Sequence, residues 1–595
     1  MKKMILLAAM GAIALCGRAE NTIKIGDESF YADTLIHVTV GPGMQTTGIR
    51  ITGADKSNAS VKTNVFYTSV DINNPNLVLT GVQARDEECA SENLLNMGNR
   101  KNQQGGLQYI AGVNGDHANL NGEHKRTNGI TYIDDCLYNC GIGDTGWKMF
   151  ESYVTVQGAK DILISDNVKF TLSLKFPNGR SNSIHINTQR NEGYLVLYTP
   201  EYGASTKTNE WGKECTLKLV SGSIIECDAV FEVTSEPVGE CNGNTADGNM
   251  TIPADGYVLS GVGMMFSQVG QLKIGDRIEM QPVKFTIDRK KVTDVTTIVG
   301  GCPVIVNNGA AISSSECDKL NKSTAIQITS TARTAIGYNE DKTRMFLVVA
   351  DSYKSNDHTS GDKASYGATS SGMNFETLAK FMIYLGCHTA TAMDGGGSSQ
   401  LYNIGLGICN IPYGLASYLR PVANGFFAAN DTPEDHEVAA IEVLQKNIRL
   451  SKGESFTPKV YGYNQYGVLV NTDIKDFSLT VSPECGTINN GTTFTASDAK
   501  NTTIAVVNYG DIKCGVRLIL NGGGPVIGNG EDVSIEVKPP YLADDPASVS
   551  EIIVDDLSPT GDKEYYNLQG MPMSQPAKGF YIVREGSQAQ INYKF

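Results

Sequence analysis

Three consecutive glycines, Gly395-Gly396-Gly397, follow a short alternating run that ends in Asp394. A glycine tripeptide loses more backbone freedom on folding than any other, so a fold that keeps one has a reason for it. The stretch from Ala390 to Tyr402, ATAMDGGGSSQLY, predicts a strand that turns tightly at its end with an acid at the turn. Backbone N–H groups in such a turn converge into a small anion-binding concavity. An ordinary Gly-rich turn has the same local signature, so other parts of the chain must distinguish the two.

The remaining composition points to strands. Gly, Asn, Thr and Val are abundant and helix formers sparse, which predicts an α+β protein, β-rich with few helices and long loops. With 595 residues there is room for roughly three or four domains. The net charge of −15 argues against a nucleic-acid partner. Lys2 and Lys3, the apolar run from Met4 to Cys16 and the small-residue site at Gly17-Arg18-Ala19 read as a cleaved signal peptide, 1–19. The expected location is therefore secreted, periplasmic or cell-surface. No later run reaches the roughly 18 apolar residues of a membrane span. Without Cys16, 12 cysteines remain, and Cys136/Cys140 and Cys485/Cys514 are candidate pairs in an oxidising compartment. Paired C-x-x-C and H-E-x-x-H spacings are missing, so neither a metal site nor a cofactor is expected.

Taken in order, the chain alternates from Thr22 to about Gly112, with a short helix expected over Ser91 to Met97. An apolar strand, Tyr109 to Val113, runs into Asn114-Gly115-Asp116. The polar loop beyond it is not an EF-hand, because His117 and Asn128 stand where the first acid and the final Glu belong. Residues 184–283 read as a small barrel-like or sandwich subdomain. TIVGGCPVIVNNG, Thr297 to Gly309, is a second glycine-bearing strand–turn, and its Asn308 and Gly309 join the candidate binding set. MFLVVAD, Met345 to Asp351, is nearly all apolar, as a strand buried on both faces should be, and ends in an acid like the Asp394 strand. Asn374 is positioned to cap a helix, FETLAKFMIYL, that stops at Gly386 and carries Glu376 in its first turn. There Glu376 suits the helix dipole and suits catalysis equally. An acidic linker leads to an immunoglobulin-like sandwich at 437–521, a Gly- and Pro-rich linker at 522–550 and a β-tail at 551–595.

Neither G-x-S-x-G nor a glycine loop followed by G-K-[ST] occurs, leaving carboxylates, an arginine and glycine turns. Such a set suits cleavage at an anionic sugar substrate. Asn114-Gly115-Asp116, Arg333-Thr334-Ala335-Ile336-Gly337, the VVAD strand, the Glu376 helix and Met393-Asp394-Gly395-Gly396-Gly397-Ser398-Ser399 together resemble the phosphodiester glycosidase family. That family includes the lysosomal enzyme that uncovers mannose 6-phosphate by removing N-acetylglucosamine. The resemblance covers residues 20–430. His117, in place of the family's usual aromatic, and Ser352, in place of a glycine, depart from it. The second domain resembles bacterial surface modules, and the tail resembles C-terminal sorting segments of Bacteroidetes-type exported proteins.

The resemblance implies hydrolysis of an α-linked sugar 1-phosphodiester at the anomeric carbon, with a glycan or sugar phosphodiester as substrate. Arg333 and the amides of Gly395, Gly396 and Gly397, beside Ser398, would hold the phosphate. Asp394 or Glu376 would be nucleophile or general base, Asn114 and Asp116 would orient sugar hydroxyls, and Asp351 would belong to the substrate-binding set. Two alternatives stand beside it: a surface carbohydrate-binding protein without catalysis, and a glycosidase for uncharged glycans.

Overall fold

A computed structural model describes residues 22–54, 60–119, 126–140, 152–170, 172–224, 228–239, 248–281, 285–288, 290–291, 294–313, 315–316, 329–354, 363, 366–412, 418–528, 533, 564–566, 572–573, 579–585 and 588–594. The proposed signal peptide lies outside the described residues. The chain divides into two units, 1–537 and 538–595.

A nine-stranded antiparallel sheet organises the first unit. Its order is Thr22–Ile25, Glu28–Gly41, Met44–Ala54, Ser60–Asp71, Arg344–Ala350, Arg333–Tyr338, Thr389–Ala392, Val304–Asn307 and Ala310–Ala311. The strand Arg344–Ala350 explains its own composition. Met345, Leu347 and Val349 face one core, while Phe346, Val348 and Ala350 face another. Successive side chains in a strand point to opposite faces, so burial on both sides erases the polar alternation.

The helix Phe375–Tyr384 covers the second of these faces, burying Phe375, Leu378, Ala379, Phe381 and Met382. Each fully buried side chain of this size contributes about 1.5–3 kcal/mol. The Asn374 side chain accepts from the Thr377 amide, as the sequence predicts, and Gly386 follows with a positive φ of 99°. The first predicted helix forms later than expected, at Leu94–Gln104, with Asn93 as its cap.

On the opposite face lie two five-stranded sheets. One runs Gly407–Ile408, Leu401–Asn403, Gln108–Asn114, Asn424–Asn430 and Leu77–Gln83. The other runs Cys136–Asn139, Thr131–Ile133, Val295–Gly301, Ser152–Gln157 and Asp161–Ser165. Seven strands between Leu172 and Met280 close into a barrel. It starts before residue 184 because Leu172–Lys175 pairs with Arg277–Met280 to complete the closure.

Strands from Ala440 to Ile527 build further sheets around a core containing Phe477, Phe494, Val507 and Leu518. Tyr461, Tyr463 and Leu469 instead join the core of the nine-stranded sheet, and Tyr463 Oη donates to the Thr39 carbonyl at 2.9 Å. In the second unit, Pro572–Met573, Glu564–Tyr566, Gly579–Glu585 and Gln588–Lys594 form one four-stranded antiparallel sheet.

The expected cysteine pairs, Cys136 with Cys140 and Cys485 with Cys514, are not bridged. Cys136 and Cys140 follow one strand, and four extended steps span roughly 13 Å, beyond disulfide reach. No helix among the described residues is long and apolar enough to cross a membrane.

Candidate active site

Register brings the central acid and arginine to one sheet end. Ala335 pairs with Ala392 in antiparallel strands, so two residues further on Arg333 stands opposite Asp394. Met393 N–H donates to the Thr334 carbonyl at 2.8 Å, and Gly396 N–H to the Ala332 carbonyl at 2.8 Å. From the facing sheet, the end of Gln108–Asn114 reaches the same point. Asp394 N–H donates to the Gly115 carbonyl at 3.0 Å, while Asn114 Nδ2 donates to the Asp394 carbonyl at 2.7 Å.

Asn114, expected to orient sugar hydroxyls, has a structural set of bonds. It is fully buried, and its Oδ1 accepts from Thr334 Oγ1 at 2.7 Å and from Gln400 N–H at 3.2 Å. One of its two amide hydrogens and its carbonyl oxygen hold strands together, so it positions Asp394.

Asp116 is also buried. Its Oδ2 accepts from Gly129 N–H at 2.7 Å, and its Oδ1 has no hydrogen-bond partner. The carboxyl presses on Gly300, where a Cβ would come within 2.5 Å of its Cγ. Burial first, then the neighbouring Glu88 and Asp394 carboxyls, push its pKa well above the usual carboxylate range. Burial and the two neighbouring carboxyls thus favour the protonated form of Asp116, the form that can donate a hydrogen bond. Its backbone N–H donates to Asn424 Oδ1 at 2.8 Å. Glu88 lies behind, its carboxyl accepting from Thr127 N–H, Thr127 Oγ1 and Gln83 Nε2; burial raises its pKa to about 8.

Arg333 is nearly buried and fixed at three points. Nε donates to the Met373 carbonyl at 3.1 Å, Nη2 donates to the Thr329 carbonyl at 3.0 Å, and the guanidinium lies 4.2 Å from the Phe375 ring centre. Gly395 packs against it: a Cβ there would stand 2.9 Å from the Ala332 carbonyl and 3.7 Å from Arg333 Nη1. Gly396 has a positive φ of 62°, and a Cβ on Gly397 would meet Arg420 Nη1 at 3.1 Å. Absent side chains thus let two arginines flank the turn.

The turn's amides divide in use. Gly396, Ser398 and Ser399 donate to the Ala332, Gly395 and Gly396 carbonyls. The Gly396 amide, expected at the phosphate, is thus taken up by the Ala332 carbonyl, and Ser398 is buried beside it. The amides of Gly395 and Gly397 meet no acceptor among the described residues. These two remain for an anion.

Other expected residues have partners of their own. Asp351 is fully buried; Asn410 Nδ2 and Ile411 N–H each donate to it at 2.9 Å, and burial raises its pKa to about 7. Asn410 also donates to the Ser399 carbonyl and accepts from Leu401 N–H, so Asp351 braces the chain after the glycines. Glu376 is held at 2.6 Å by Lys380, one helical turn along. Asn308 and Gly309 are the positive-φ turn between two edge strands, where Gly309 N–H donates to the His388 carbonyl. His388 precedes the strand that Asp394 follows, placing that turn roughly 20 Å away at the opposite sheet end.

The sequence reading did not include Arg420, Asn424, Glu88 and Thr127 in the site, and treated His117 only as a departure. His117 Nε2 lies 3.8 Å from Asp394 Oδ1; their side chains are 45% and 19% exposed.

Residues 228–429 match the sequence profile of the phosphodiester glycosidase family. No curated protein matches the chain. Among solved structures it is similar to a hypothetical protein from Synechocystis, at 15% identity and a TM-score of 0.49, covering 65% of this chain and 62% of that one. The chain thus spans less than two thirds of that protein. A protein from Burkholderia pseudomallei K96243 is similar at 14% identity and a TM-score of 0.52, covering 70% of this chain and 99% of that one. This likeness shows a shared fold. The catalytic domain of zebrafish N-acetylglucosamine-1-phosphodiester alpha-N-acetylglucosaminidase, auto-inhibited by its pro-peptide, is similar at 10% identity and a TM-score of 0.33, covering 69% of this chain and 90% of that one.

Proposed function

We propose that this chain, which matches the phosphodiester glycosidases over residues 228–429, hydrolyses an α-linked, N-acetylglucosamine-like sugar 1-phosphodiester at its anomeric carbon. The observation that carries the reading is Gly395 packed on the fixed Arg333 guanidinium, with the Gly395 and Gly397 amides unspent and Asp394 adjoining. A planar arginine with converging amides suits a phosphate, whose oxygens accept several charge-assisted hydrogen bonds. Arg420 supplies a second positive charge at the turn.

Asp394 is the reacting carboxylate. The leaving group is a phosphate ester with a second pKa of about 6, so it departs with less protonation than an alcohol needs. Preorganised donors stabilise the charge that develops on it. Asp116, whose buried carboxyl is biased toward its protonated form, lies on the side of the site next to Gly300. The substrate would sit on a glycan or glycoconjugate reached after export.

A panel of sugar 1-phosphodiesters and matched aryl glycosides tests this function. Turnover confined to the phosphodiesters supports it. Equal turnover of the uncharged glycosides, or none on either class, would overturn it.

A further inference from the structure

Asp394 and His117 form a donor–acceptor pair with a gap between them. At 3.8 Å, Nε2 of His117 is too far from Asp394 Oδ1 for a direct hydrogen bond. One oxygen atom about 2.8 Å from each would bridge them. The other ring nitrogen has its own partner. Asn128 Nδ2 lies 3.0 Å from His117 Nδ1; with that amide nitrogen donating, Nδ1 accepts and Nε2 is the ring nitrogen left to donate toward Asp394. Asn128 N–H also donates to the His117 carbonyl at 3.0 Å, locking the two residues together. Both members of the pair are partly exposed, so solvent reaches the gap. An imidazole N–H facing a carboxylate oxygen suits one guest above others: a group that accepts one hydrogen bond and donates another.

We propose that His117 and Asp394 hold the attacking water, so that hydrolysis is a single displacement that inverts the anomeric centre. This rests on the phosphodiester reading above. The water oxygen bonds to the anomeric carbon as the bond from that carbon to the phosphate oxygen breaks. The bonding pair leaves with the phosphate ester, received by Arg333 and the glycine amides. The water's proton passes to Asp394, and His117 keeps its own while orienting the water. An α-linked substrate then yields the β-sugar first, with no covalent intermediate on the protein.

Time-resolved proton NMR of full-chain hydrolysis of an α-sugar 1-phosphodiester, with steady-state kinetics of H117A and H117Q, tests the proposal. The β-anomer should appear before mutarotation. H117A should lower kcat by roughly 30-fold or more with KM nearly unchanged, and H117Q, whose amide replaces the Nε2 donor, should recover most of it. An α-anomer as first product would overturn the proposal through the wild type alone, whatever the variants' stability. So would an unchanged kcat in H117A, or a raised KM at constant kcat, which would assign His117 to a sugar hydroxyl. These outcomes leave the phosphodiester reading standing. Wild-type inactivity across the phosphodiester panel would overturn that reading and the water site together.

Discussion

Asn114 and Asp394, 280 residues apart, are joined by a 2.7 Å hydrogen bond from the amide of one to the backbone carbonyl of the other. The bond ties the ends of two different sheets. On the same amide, Oδ1 serves Thr334 and Gln400, so one buried side chain sets the position of the acid and the start of the next strand.

Replacing Asn114 by Ala removes three hydrogen bonds in a buried place and leaves their partners unsatisfied. Each orphaned group costs about 1–3 kcal/mol. We expect a total loss of about 2–4 kcal/mol after local relaxation, against about 1 kcal/mol for Thr334→Val, which removes one bond. Urea unfolding of both variants measures the difference. Equal midpoints for the two would contradict the bracing role.

Arg333→Lys keeps the charge and loses the geometry. Lysine cannot donate to Met373 and Thr329 while lying flat on Phe375 and facing Gly395. The expected result is a fall of roughly 100-fold in kcat/KM on a phosphodiester substrate, corresponding to about 2.7 kcal/mol. Retention of wild-type kinetics would show that a point charge suffices.

Gly300→Ala tests the Asp116 side of the site. A methyl group there lies within 2.5 Å of the carboxyl carbon, so Asp116 must move. Activity should fall about tenfold or more, since small displacements of positioned groups are costly in catalysis. Circular dichroism distinguishes this from loss of fold, and full activity in the folded variant would exclude Asp116 from the chemistry.

Glu88 gives a pH signature. Its folded pKa is raised from 4.5 to about 8 by burial. Between these values the folded state binds more protons than the unfolded state, so stability falls as pH rises. Asp116, raised by the same cause, acts in the same direction. Glu88→Gln should flatten the decline of Tm between about pH 5 and 8. An unchanged slope would show that Glu88 does not titrate in that window.

How much of this was legible in the sequence depends on the range of the interaction. The Asn374 cap and the apolar stripe from Phe375 to Met382 are local, and the helix they predict is present. Met345 to Ala350 announced burial on both faces by composition alone. Asn308-Gly309 and Asp394-Gly395 look alike as strand–turn signals, yet register sends them to opposite ends of one strand. Asn114 read as a sugar ligand because its partners Thr334 and Gln400 lie 220 and 286 residues away. Glu376 satisfies a helix start and an active site with the same side chain, and its sequence position does not show its bond to Lys380. His117 was visible as an odd residue. Its facing of Asp394 was not, since that depends on two sheets meeting.

Asp394→Asn tests the central claim most directly. The substitution keeps the size and the backbone bonds to Gly115 and Asn114 while removing the reacting carboxylate. Measured on a sugar 1-phosphodiester, kcat should drop roughly a hundredfold or more, with a melting transition close to wild type. Near-normal turnover in that folded variant would contradict the account.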